Sequence, residues 1–248
     1  MPVPEPFLAI DAGNTRIKWG LRGGDGGWLA TGAVATLDHD ALRAQWESVG
    51  PRPTVAIVSN VAGDAAGAGI ASVLAAMAIR IRWHAASATC GDVINGYQQP
   101  GRLGPDRWAA LIGARARHRG ACVVANCGTA TTIDALAPSG EFIGGVIAPG
   151  VELMRAALAT RVPALQGNPG RFVFFPANTA DAIASGAVYA AAGAIVGVAR
   201  RLEEWTGTAP RIVLTGGAAV QVAPQLAGTI EIVEHLVLEG LVVAMAAA

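Results

Sequence analysis

Apolar and polar positions alternate along the chain in short blocks, and the blocks predict a regular succession of strands, turns and helices. FLAI at 7–10 reads as a buried strand entering a turn, and the alternation over 16–21 reads as a second strand. A turn at 23–27 leads to a third strand at 28–34. Leu37, Ala41, Leu42 and Trp46 fall on one face of a helix predicted over 37–48. A buried strand follows at 54–59, an Ala-rich helix at 65–78 and a short strand at 81–84. A helix over 107–118 opens just after a Gly-Pro turn.

The opening then repeats. A strand at 122–125, a turn at 126–129, a strand at 131–136, a turn at 138–140 and a strand at 142–147 reproduce the first three strands in order. The first copy runs FLAI-DAGNT-RIKWGL and the second CVVA-NCGTA-TTIDAL. The two turns lie about half a chain apart, which points to a duplication. Helices at 151–159 and 179–202, a strand at 211–214 and a C-terminal helix from Leu236 complete the pattern. The fold class expected is α/β, with two halves over 1–117 and 118–248 and a nucleotide cleft between them.

Composition narrows the partners. Of the 248 residues, 52% are hydrophobic and 15% charged, against roughly 25% charged in an ordinary domain. Lys+Arg and Asp+Glu are 18 each, so the formal net charge is +0. This excludes a disordered chain and leaves no basic footprint for nucleic acid. The uncharged run 186–199 is shorter than the roughly 18 residues of a spanning helix and is closed by Arg200 and Arg201. MPVPEPFLAI has Pro and Glu where a signal peptide carries a basic region. No membrane association and a cytoplasmic location are expected. Cys90, Cys122 and Cys127 form no CxxC pair and read as free buried thiols.

Four segments carry candidate chemistry. Asp11, Ala12, Gly13, Asn14 and Thr15 follow the first strand; backbone N–H groups there, with the Asn14 and Thr15 side chains, suit phosphate oxygens, and Lys18 adds a positive charge. The alternative is a tight hairpin capped by Asp11. In Gly104-Pro105-Asp106-Arg107, Asp106 is either a helix cap or an acid that accepts a proton from a hydroxyl, with Arg107 beside it for an anionic group. Tyr97, upstream in NGYQQP, is an amphipathic contact or a packing residue. Thr129 lies in the second turn and suits the far side of a phosphate chain. Gly216 and Gly217 after the strand at 211–214 allow an adenine or ribose to approach the backbone, or simply begin a helix. No GxxxxGK[ST] or GxGxxG occurs, and His39, His84, His118 and His235 lie outside these segments.

The order DAGNTRIK, GYQQPGRLGPDRW, CGTATTID, GGVIAPG and LTGG resembles the type III pantothenate kinases across nearly the whole chain. The resemblance implies the acetate and sugar kinase, Hsp70 and actin superfamily fold, with two ribonuclease-H-like halves. It implies a homodimer, ATP as donor, Mg²⁺, and phosphorylation of pantothenate to 4'-phosphopantothenate as the first step of coenzyme A synthesis. On this resemblance Asp11, Ala12, Gly13, Asn14, Thr15, Arg16, Ile17 and Lys18 form the first phosphate segment, with Asp11 near Mg²⁺ through water. Thr129, Gly216 and Gly217 are ATP contacts. Tyr97, Gly104, Pro105, Asp106 and Arg107 form the pantothenate pocket, with Asp106 the proton acceptor and Arg107 facing the carboxylate. Thr179, in NTADAIASG, is a pantothenate contact reached from or near a partner subunit. One position departs: the family writes D-x-G-T at the second turn, and this chain has Asn126-Cys127-Gly128-Thr129. That Asp is associated in the family with K⁺ or NH₄⁺; Asn126 keeps a carbonyl oxygen and loses the charge, which weakens a hard-cation site. The competing expectations are an accessory nucleotide-binding protein of the same fold with little kinase activity, and a kinase for another small acceptor.

Overall fold

A computed structural model describes residues 6–24, 26–160 and 169–247. The opening residues 1–5 and Asp25, within the turn expected at 23–27, lie outside the described residues. The chain divides into two compact units, one made of residues up to Arg117 together with those from His235 onward, the other spanning His118–Glu234.

The first unit is built on β1 (Phe7–Ala12), β2 (Arg16–Arg22), β3 (Trp28–Ala35), β4 (Val55–Asn60) and β5 (Arg80–Trp83), in the order β3-β2-β1-β4-β5. β1 runs antiparallel to β2 and parallel to β4, and β4 is parallel to β5. Side chains alternate across a strand, so Leu8, Ile10 and Ala12 of β1 and Ala56 and Val58 of β4 enter one core. That core includes Leu42 and Trp46 of α1 (His39–Ser48), and Ile70, Val73 and Leu74 of α2 (Asp64–Ala76). Phe7, Ala9 and Asp11, with Val55, Ile57 and Ser59, take the opposite face. A short hairpin, β6 (Thr89–Cys90) and β7 (Val93–Asn95), leads to α3 (Pro105–Arg117).

The second unit repeats this plan. Its strands β8 (Cys122–Cys127), β9 (Ala130–Leu136), β10 (Glu141–Pro149), β11 (Arg211–Thr215) and β12 (Ile230–Ile232) are ordered β12-β11-β8-β9-β10. β8 is antiparallel to β9 and parallel to β11, just as β1 is antiparallel to β2 and parallel to β4. The duplication seen in the sequence therefore extends to strand direction. One face is covered by α5 (Thr179–Thr206), through Ala187, Val188, Ala191, Ala192 and Ile195. Val151 of α4 (Val151–Ala159) and Ala219 of the short α6 (Ala219–Val222) join the same core.

Several expectations change. Leu37 is 69% exposed rather than on the helical face, because Asp38 caps α1 by accepting the amide of Ala41 and so leaves Leu37 outside the helix. α5 has 28 residues, longer than the uncharged run suggested, and by length and composition is apolar enough to cross a membrane. The sheet it covers takes up part of its apolar surface, while Tyr189, Val196 and Trp205 are exposed. The C-terminal helix α7 (Leu236–Ala246), expected with the second half, packs in the first unit against α3. The reason is close backbone approach: a Cβ on Gly240 would collide with the Ala109 carbonyl oxygen, and one on Gly113 would stand 2.7 Å from that of Leu236. Arg82 completes the fit by donating to the Ala244 and Met245 carbonyls at the end of α7.

Candidate active site

The hairpin between β1 and β2 turns at Gly13, whose amide donates to the Arg16 carbonyl. Thr36 holds the same turn, its hydroxyl donating to the Gly13 carbonyl at 2.7 Å. Asn14, Thr15 and Arg16 are exposed on the turn, while Ala12 and Ile17 are packed in the α1/α2 core. Of the expected phosphate segment, then, Ala12 and Ile17 contribute packing through their side chains, and any ligand contact from them is through backbone. Asp11 and Lys18 are register partners across β1 and β2 and share the face opposite that core.

Asp106 stands in the first turn of α3, not at its cap; the Gly104 carbonyl accepts the first helical amide, from Trp108. A Cβ at Gly104 would lie 2.7 Å from Asp106 Oδ1 and would push that carboxyl aside. The Asp106 carboxyl is raised above the usual carboxylate range by burial. Hydrogen bonds from the Arg107 and Asp106 amides and the Arg107 charge pull the other way. Asp11, whose Oδ1 is buried without a hydrogen-bond partner, is pushed up to about 7. Burial is the main cause, the charge of Asp106 adds to it, and Lys18 opposes it. Two carboxyls nearly a hundred residues apart in sequence thus share one electrostatic environment.

Arg107 is 5% exposed and is occupied by Tyr97: its Nη1 donates to the phenol oxygen at 2.9 Å, and its guanidinium lies 5.6 Å from the ring centroid. Tyr97 is set in turn by Asn95, a residue the sequence reading passed over. Asn95 Oδ1 accepts the Tyr97 amide, and its Nδ2 donates to the Ser87 and Pro100 carbonyls. The signal available was the NG pair at a strand end, where an Asx turn is common. A cavity of about 360 Å³ opens beside them, lined by Tyr97, Gln98, Gln99 and Arg102. That volume falls within the range of small-molecule sites.

The second unit carries the remaining predicted residues. Asn126 pairs in register with Thr132 on β9 and Thr215 on β11. Thr129, exposed in the β8–β9 turn, accepts the Gly150 amide through its carbonyl. Gly216 has φ +91°, and a Cβ there would stand 2.6 Å from the Cys127 carbonyl and 2.7 Å from Asn126 Oδ1. At Gly217 a side chain would meet open space, so only the first glycine of the pair is required by the fold. Thr179 is exposed at the start of α5, next to its cap Asn178, which accepts the Asp181 amide. Cys122 and Cys127 are buried free thiols pushed up to about 12 and about 11 by burial, so both stay protonated at neutral pH.

No group of three or more His, Cys, Asp or Glu side chains able to hold a metal occurs among the described residues. A cation bound by one carboxylate and otherwise by water or phosphate does not need such a group. The unpartnered Asp11 Oδ1, in an environment already burdened by a second carboxyl, fits a hard divalent cation of this kind.

The sequence model of a family described as type III pantothenate kinase matches residues 7–201. A protein of Aromatoleum aromaticum named type III pantothenate kinase is 48% identical over 240 residues, covering 96% of each chain. One of the same name from Nitrosospira multiformis is 42% identical over 235 residues, covering 95% of this chain and 89% of the relative. Among solved structures, a glucokinase from an Antarctic psychrotroph superposes with a TM-score of 0.52 at 11% identity, over 99% of this chain and 100% of that one, and so bears on the fold alone.

Proposed function

The chain belongs to the type III pantothenate kinase family, and from that membership we propose a division of labour among its residues. The reaction moves the γ-phosphoryl group of ATP onto the primary hydroxyl of pantothenate, giving 4'-phosphopantothenate on the way to coenzyme A. Such a transfer is catalysed mainly by positioning and by neutralising charge on the phosphoryl oxygens.

Asp106 accepts the proton of the pantothenate hydroxyl. The observation that carries this is the Asp106 carboxyl in the first turn of α3, raised by burial and close enough to Asp11 for its charge to act there. A general base works best when its pKa is drawn toward the working pH. Tyr97 and Arg107, bonded to each other, form one wall of the pantothenate pocket, with the carboxylate of the acceptor on the Arg107 side. The amides around Gly13 and the side chains of Asn14, Thr15 and Lys18 hold phosphate oxygens. Asp11 holds Mg²⁺ through water; the ion, when bound, neutralises phosphate charge. Thr129 and Gly216 contact the nucleotide.

Asn126 offers a neutral oxygen where the family carries an acid, so dependence on K⁺ or NH₄⁺ is weak in this protein. The chain forms a homodimer. Supporting this, Phe174 and Phe175 are 64% and 93% exposed, Tyr189 is 41% exposed, and Thr179 stands exposed on the same helix as Tyr189. The protein works in the cytoplasm.

The test is transfer of labelled phosphate from ATP to pantothenate, with and without K⁺ or NH₄⁺, by the natural protein and by Asp106→Asn. Pantothenate-dependent transfer that is abolished in the variant while ADP binding survives is the expected result. Equal turnover by the variant would remove Asp106 from the mechanism.

A further inference from the structure

β4 is an apolar strand, VAIVSN, buried from Val55 through Ser59. Ser59 is 0% exposed, yet its hydroxyl has no hydrogen-bond partner. Buried polar atoms are almost always satisfied, and a hydroxyl can both donate and accept. His84, which continues the pairing of β5 beside β4, cannot account for it, because its own Nε2 is unpartnered. Ser59 is the register partner of Asp11 on the adjacent parallel strand, and the two share the face opposite the α1/α2 core. Asp11 Oδ1 is the other unpartnered oxygen of this row.

The duplication supplies a comparison within the molecule. In the second unit Thr215 occupies the position of Ser59, in register with Asn126, which occupies the position of Asp11. There the hydroxyl is satisfied internally, by donating to the Glu234 carbonyl at 3.3 Å. The two repeats thus keep a hydroxyl at the same place, and only the copy beside the carboxylate is left without an internal partner.

We infer that Ser59 is a positioning residue for the divalent cation: its hydroxyl and Asp11 Oδ1, on neighbouring strands, hold the water shell of that ion from two points. The inference rests on the reading of Asp11 as the cation-bearing residue. Groups that orient the immediate surroundings of a bound metal commonly change its affinity ten- to a hundred-fold when removed.

The experiment is Mn²⁺ binding in the presence of ADP, followed by electron paramagnetic resonance of free Mn²⁺, for the natural protein, Ser59→Ala and Asp11→Asn. Ser59→Ala is expected to weaken Mn²⁺ about ten-fold. Its affinity for ADP in EDTA and its KM for pantothenate stay unchanged. Ser59→Cys keeps the volume and replaces the hard oxygen; it carries the same expectation if the alanine variant does not fold. Unchanged Mn²⁺ affinity in a folded variant overturns the inference, since a packing role would give that result. If the natural protein takes up no Mn²⁺ with ADP, the Asp11 assignment and this inference fall together. The kinase reading is decided separately, by the pantothenate assay.

Discussion

Asp11→Asn is expected to make the ligand-free protein more stable while destroying its activity. The Asp11 carboxyl moves from an ordinary 3.8 to about 7 in the fold, chiefly through burial and secondarily through Asp106. That corresponds to about 4 kcal/mol of penalty on the ionised form. The sign follows from proton uptake: an acid whose folded pKa lies above its unfolded value binds a proton on folding between the two, so stability falls as pH rises through that window. The cost begins near pH 4 and is complete above about pH 7. Asparagine keeps the shape and carries no charge, so the gain from the variant follows the same curve. For a chain of this length 4 kcal/mol is worth roughly 8 °C in Tm, a ceiling the variant approaches at pH 8 and loses near pH 4. The assay is a melting series in EDTA from pH 4 to pH 8 on both proteins, repeated with Mg²⁺ and ADP. The ligands raise the Tm of the natural protein more than that of the variant, because a cation relieves the buried charge. A variant that melts at or below the natural protein at pH 8, or a gain that does not shrink toward acid, would refute the reasoning.

Four further outcomes follow from the same geometry. Tyr97→Phe removes the acceptor of a buried guanidinium hydrogen bond and raises the KM for pantothenate about ten-fold, with a smaller change in kcat; steady-state kinetics at fixed ATP read the split. Asn126→Asp restores the acid at the second turn and makes turnover depend on K⁺ or NH₄⁺, measured by titrating each salt against a tetramethylammonium background. Gly240→Ala forces α7 away from the Ala109 carbonyl. It costs about 1–3 kcal/mol, seen as a lower Tm, and kcat falls with it because α3 carries Asp106. Gly120→Ala, where a side chain meets open space, leaves both unchanged.

β1, β4, β8 and β11 were legible as apolar runs that end at aspartate, asparagine or glycine, and the repeat of FLAI-DAGNT by CVVA-NCGTA pointed to the duplication. What escaped was short or tertiary. β6 and β12 have two and three residues, too few for a period to show. The docking of α7 depends on glycines facing each other across two helices more than a hundred residues apart. At the site, the motifs single out Asp11 and Asp106, but that the charge of Asp106 bears on Asp11 is a property of folding. Asn95 sat unnoticed beside the more conspicuous Tyr97. Ser59 ended a strand and looked like punctuation; only register reveals that it lies beside the carboxylate.

The return of the chain to the first unit bears on the order of synthesis. The second unit is one uninterrupted stretch, His118–Glu234, and has all its strands once Glu234 has been made. The first unit began earlier but lacks its partner for α3 until the last turns of α7 leave the ribosome. A polypeptide stopped at Glu234 would hold a finished second unit and a first unit with Gly113, Ala109 and the helix bearing Asp106 short of their covering. Asp106 is therefore made before any of the second unit, yet its helix gains this covering only after that unit is complete.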